Sequence, residues 1–143
     1  LLIAAARHLD EIKDIDARLA ASRNATGGAE RLAAYIGAWG RYIPEVYPVA
    51  RVLMTLSDSD DEAAAAWHDR MQAMRQGCAA AVAAIEADGA LASPFTVETA
   101  TDWLWTQLSV RNWEALTIDC DWPQSRYLAA MRLAAEKMLI RAG

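Results

Sequence analysis

"DWLWTQLSVRNWEALTIDCDW", Asp102 to Trp122, holds four of the chain's six tryptophans. A helix turns about 100° per residue, so no single face of it can hold Trp103, Trp105 and Trp113 together. Trp103, Gln107 and Val110 fall on one side, while Leu104, Trp105 and Leu108 spread over the other. An element that is apolar on more than one side is expected to pack on the body of its domain with one side and on a partner with another. The competing reading is that every one of these residues is monomer core.

The residues on either side extend the helical pattern. Thr96 is placed to cap this fifth helix, which is expected to run through about Leu116. A last helix is expected from about Pro123 to Arg141, with Tyr127, Met131, Ala134, Ala135 and Met138 on its apolar side. Upstream, "ADGALASPF" from Ala87 is a glycine-stopped connection. Before it, a long fourth helix from about Asp60 to Ala87 is announced by "SDSDDE", where Ser59 and Glu62 have the spacing of a capping box. Trp67, Met71, Met74, Cys78 and Val82 mark its buried side. A third helix is expected from Pro48 through about Leu56. A second runs from about Ala29 to Tyr42 and is expected to stop at Pro44, because proline lacks the N–H and crowds the preceding turn.

The first helix covers about Leu1 to Ala21 along a stripe of Leu2, Ala5, Leu9, Ile12, Asp16 and Leu19, closed by "ATGG" at Ala25 to Gly28. It opens already in helical register with no capping residue, the expectation for a helix that begins upstream. Six helices with few prolines and glycines point to an all-α domain.

Composition narrows the function classes. The chain has 143 residues, 55% of them apolar and 23% charged, which suits one compact domain with a sizeable core. Its net charge is -5 and no lysine or arginine stripe is present, which argues against nucleic-acid binding by this chain alone. Cys78 and Cys120 make no CxxC and read as reduced thiols of a cytoplasmic protein. No apolar run reaches the roughly 18 residues of a membrane span.

Several of these pieces carry a resemblance. The Asp88-Gly89 turn is followed by a helix with Thr96, Glu98, Ala100, Asp102, Leu104 and Trp105 in the pattern T-x-E-x-A-x-D-x-L-W. Trp122 and Tyr127 stand at the start of the closing helix, and "EVYPVARVLMTL" resembles a proline-led helix upstream. In these features the chain resembles the C-terminal regulatory domain of TetR-type (TetR/AcrR) transcriptional regulators over essentially its whole length. The resemblance implies an all-α domain of about six helices, the last two pairing with a second copy in an intersubunit four-helix bundle. It also implies a helix-turn-helix DNA-binding domain N-terminal to Leu1, and a first helix that links that head to the regulatory body.

Two residue sets follow. For the dimer interface the candidates are Trp103, Leu104, Gln107, Val110, Tyr127, Met131, Ala134 and Met138, since aromatic residues and methionine supply large buried area. For an apolar or aromatic small-molecule effector they are Tyr35, Trp39, Tyr42, Trp67, Met71, Met74, Cys78 and Trp105, mixed rings and soft side chains from separate helices. Here too the competing reading is a filled core.

His8 and His68 lie sixty residues apart with no second ligand at helical spacing, so they read as solvated or core-edge histidines rather than a metal site. Cys78 is ten residues from His68, about 15 Å along a helix and too far for a thiolate–imidazole pair. No catalytic constellation and no cofactor site is legible. The expected function is effector sensing and dimerisation in a transcriptional repressor that meets operator DNA only through the absent head. The alternatives are a helical-bundle enzyme with a non-obvious site and a purely structural dimerisation module.

Overall fold

A computed structural model describes residues 1–142, the side chain of Ile12 excepted; the Ile12 position in the first apolar stripe lies outside the described side chains. The described residues are predominantly helical, as the pattern requires: α1 (Leu2–Ile12), α2 (Ile15–Arg18), α3 (Ala20–Arg23), α4 (Gly28–Leu56), α5 (Asp61–Ala87), α6 (Val97–Gln107), α7 (Val110–Glu114) and α8 (Gln124–Leu139). A π-turn, Ala115–Asp119, extends α7. Among the described residues sheet-type pairing is limited to one isolated bridge, Leu91 with Ile140. No described helix is long and apolar enough to cross a membrane.

The long antiparallel pair α4 and α5 forms the spine. Ile36 and Ile43 of α4 share one buried cluster with Cys78, Val82 and Ile85 of α5, and Leu104 of α6, Leu108 just after it, and Tyr127 and Leu139 of α8 complete this core. The approach is close: a Cβ on Gly77 would lie 2.6 Å from the Tyr35 hydroxyl, so only glycine lets that ring cross α5. A smaller cluster of Ala6, Leu53, Ala63 and Ala66 seats α1 against the far ends of α4 and α5.

Four boundaries differ from the sequence reading, each for a physical reason. The first helix is broken, because Asp14 takes the left-handed conformation at φ 57° and turns the chain into α2 and α3. Aspartate tolerates that region better than most residues. The second and third helices are one: α4 passes straight through Pro44 and Pro48. Pro44 removes the N–H that would bond to the Gly40 carbonyl, and the Gln124 side chain replaces it, its Nε2 donating to Gly40 O at 2.6 Å.

The α5 cap is Asp60 rather than Ser59; its carboxylate accepts from the Glu62 and Ala63 amides at 2.9 and 3.0 Å. Thr96 does cap α6, in a reciprocal box with Thr99. The fifth helix, however, divides at Leu108, and Ser109 caps the new start. The carbonyls stranded by that break find partners: Leu108 O accepts from the Trp39 indole at 2.8 Å, and Gln107 O from Asn112 Nδ2 at 2.7 Å.

The division of that helix decides where its tryptophans go, and each finds partners within the chain. Trp105 donates to Met71 O of α5 at 3.0 Å, with the Arg75 guanidinium 5.4 Å from its ring. Trp113 is buried against Tyr47, ring centroids 4.9 Å apart, and donates to Gln124 Oε1 at 3.0 Å. Trp103 stacks near Phe95 at 6.5 Å, and Trp122 lies under Arg126 at 5.7 Å.

Candidate functional site

The buried face of α4 continues beyond the filled core. Tyr35, Trp39, Tyr42 and Val46 follow at steps of four, three and four, so they share one side of the helix. Opposite them stand α1, α2 and α3, and along the third side runs α5. The short helices do not fill the space, and a cavity of about 580 Å³ remains. That is within the range of small-molecule sites, roughly 300–1,000 Å³.

Of the residues expected from sequence to meet an effector, Tyr35, Trp39, Tyr42, Trp67, Met71 and Met74 all line this cavity. Cys78 and Trp105 are not among its lining residues. Cys78 is fully buried, with Sγ 3.8 Å from the Tyr35 hydroxyl, and burial pushes its thiol up to about 12. Trp105 packs on α5 through its bond to Met71 O.

The walls carry hydrogen bonds as well as rings. The Tyr35 hydroxyl donates to Met74 O at 3.1 Å, and burial raises its pKa well above the usual tyrosine value. The Tyr42 hydroxyl donates to the Asp10 carboxylate of α1. Burial, and then that carboxylate, raise the Tyr42 pKa as well, so it stays a neutral donor.

Sequence reasoning missed the charged lining. Asp10 accepts from Arg70 at 2.6 Å; Arg70 also meets Asp69 at 2.7 Å, and Asp69 receives Arg7 at 2.7 Å. This chain of ion pairs joins α1 to α5 along one wall. The signal was present: Arg70 is three residues after Trp67 and four before Met74, on the stripe already marked. Arg31 likewise stands four residues before Tyr35 and lines the cavity.

The candidate interface residues divide. Leu104, Val110, Tyr127 and Met131 are buried inside the single chain, where they pack against α4 and one another. Trp103, Gln107 and Ala134 are half-buried. Met138 is 44% exposed and its neighbour Leu133 57%. With Ala130 and Ala134 they make an apolar stripe on the outer side of α8, at steps of three and four.

His8 and His68 are exposed, and the described residues hold no group of three metal-ligating side chains. Compared with protein-family models, curated proteins and solved structures, the chain matches none.

Proposed function

We propose that this chain is the effector-sensing and dimerisation domain of a TetR-type transcriptional repressor. The observation that carries the reading is the cavity of about 580 Å³ walled by Trp39, Tyr42, Trp67 and Met71 between α1–α3 and the α4–α5 spine. A protein without a ligand gains nothing from leaving that much apolar surface unpacked.

The walls suit a sensor because they touch both ends of a signal path. Tyr42 reaches α1 through Asp10, and Trp39 holds the joint between α6 and α7. An effector that prefers one seating of α1 shifts the population toward it. In the proposed full-length regulator α1 leads to the helix-turn-helix, so its seating sets the spacing of two DNA-binding heads on operator half-sites. This chain, acidic and cytoplasmic in this reading, holds the heads but does not itself touch DNA. Its second copy docks along the outer side of α8, through Ala130, Leu133, Ala134 and Met138, with Trp103 and Gln107 of α6 alongside.

The test is thermal denaturation of the isolated chain against a panel of apolar and aromatic small molecules, paired with sedimentation. A stabilising ligand whose effect is lost in Trp67→Ala, together with a dimer at micromolar concentration, is the expected result. A monomer that no ligand stabilises sinks the reading. Leu133→Glu and Met138→Glu are the informative interface variants, because both positions face solvent in the single chain. Met131→Glu is not, since it puts a charge in the monomer core.

A further inference from the structure

The charges around the cavity do not balance pair by pair. Four arginines line it: Arg7, Arg23, Arg31 and Arg70. Arg7 meets Asp69, Arg70 meets Asp10 and Asp69, and Arg23 meets Asp16 at 3.1 Å. Arg31 has no carboxylate partner among the described residues, and its Nε is buried without a hydrogen-bond partner. Nε is covered as it stands, so an acceptor entering the cavity would meet the terminal amino groups of the guanidinium, which have no anionic partner among the described residues.

The carboxylates on the same cavity do not offer the mirror-image site. Asp10 is committed to Tyr42 and Arg70, and Asp16 to Arg23. Glu11 and Asp14 are exposed at the rim, where water already solvates them. An incoming cation would find only hydrated acids, whereas an incoming anion would find a half-buried, unpaired fork.

Arg31 is also placed at the head of the ring-bearing face. It stands on the first turn of α4, with Tyr35, Trp39 and Tyr42 following along the same side. From Arg31 to Val46 that face is about 22 Å long. We propose that the cavity takes an aromatic carboxylate, with its rings among Tyr35, Trp39 and Tyr42 and its carboxylate on the Arg31 guanidinium. The proposal rests on the cavity being the effector site. Planar guanidinium and carboxylate groups match in a two-point hydrogen bond, and the neighbouring rings exclude water from it.

Calorimetric titration of the chain with 2-naphthoate, 2-naphthamide and 2-naphthylmethylamine tests this. The three probes share one ring system and differ in charge. The carboxylate is expected to bind at least about tenfold more tightly than the amide. Arg31→Met should erase that preference, and Arg31→Lys should restore part of it. The Arg31 side chain makes no ion pair or hydrogen bond among the described residues, so both variants should melt near the parent temperature. If Arg31→Met fails to fold, the ranking of the three probes on the parent chain and on Arg31→Lys decides.

Equal binding of carboxylate and amide, tightest binding of the amine, or a carboxylate preference that survives in Arg31→Met would each overturn the Arg31 assignment alone. The effector cavity would stand in all three cases. Binding of none of the probes would instead count against the cavity as an aromatic effector site, and the Arg31 assignment would fall with it.

Discussion

The two long faces of α4 present opposite solutions to one problem. Toward α8 and α6, Ile36 and Ile43 are sealed by Leu104, Tyr127 and Leu139, and that side is packed solid. Toward α1–α3, Tyr35, Trp39 and Tyr42 also count as buried, yet they border about 580 Å³ of unfilled space. Low solvent exposure is therefore shared by the two faces, and packing is not. Anchoring of the rings separates them: Tyr127 lies among branched aliphatics on the sealed face with its hydroxyl unpartnered, while Tyr35, Trp39 and Tyr42 on the other face each hold a hydrogen bond at the polar tip. A ring whose hydroxyl or indole N–H is anchored can stand at the edge of a void without collapsing into it.

The sharpest way to break this contrast is truncation on each face. Leu104→Ala, in the sealed core, is expected to cost about 3–5 kcal/mol in urea denaturation. Its exposure in the single chain is nil, so that loss should appear in a monomer at any protein concentration.

Next in size is the polar joint between the two helices of the sealed side. Gln124→Leu strands the Gly40 carbonyl and the Trp113 indole N–H, and is expected to cost about 2 kcal/mol. Adding Pro44→Ala supplies a backbone N–H to Gly40 again and should recover part of that loss. Independent, additive effects of the two substitutions would show that the ladder gap at Pro44 is not what Gln124 answers.

On the open face, Trp67→Ala should cost less, about 1–2 kcal/mol, because one side of the ring already lacks packing partners. It should weaken ligand binding more than it weakens the fold. A stability loss equal to that of Leu104→Ala would make the two faces alike and remove the cavity from the account.

The smallest effect expected is electrostatic. Hydrogen bonds from Arg7, and then from Arg70, hold the Asp69 carboxyl down at about 2 against its ordinary 3.8. A lowered value means the stabilisation is complete above about pH 4 and fades as the pH falls through 2. Acid titration in that window should loosen α1 before the α4–α5 spine, seen as early loss of amide protection in α1. Asp69→Asn should flatten that early phase.

The sequence made the helical class and the two long partners legible, because 3.6-residue stripes of large apolar side chains survive any local irregularity. The breaks and continuations were hidden for one common reason. Pro44 was read as a stop because its missing N–H is visible in the sequence, while the remote Gln124 that compensates is not. The kink at Asp14 and the joint at Leu108 likewise depend on backbone geometry or partners such as Trp39 far along the chain.

At the cavity, the rings were identifiable from type and spacing. Cys78 and Trp105 share the same stripes but point into packed surroundings, which periodicity alone does not distinguish. Arg31, Asp10 and Arg70 were passed over because charged residues on a helix are ordinarily solvated.

Gln124 has a wider consequence for α8. Apolar side chains meet through surfaces that tolerate sliding, since one methyl substitutes for another at little cost. A carbonyl missing its donor offers no such tolerance. Pro48 opens a second gap, at the Pro44 carbonyl, but it is Gly40 that the Gln124 amide fills, from the first residue of α8. Moving α8 by one turn, about 5.4 Å, would carry that amide out of reach and leave the carbonyl dry. Together, Pro44 and Gln124 act as an index mark that fixes where along α4 the closing helix must begin.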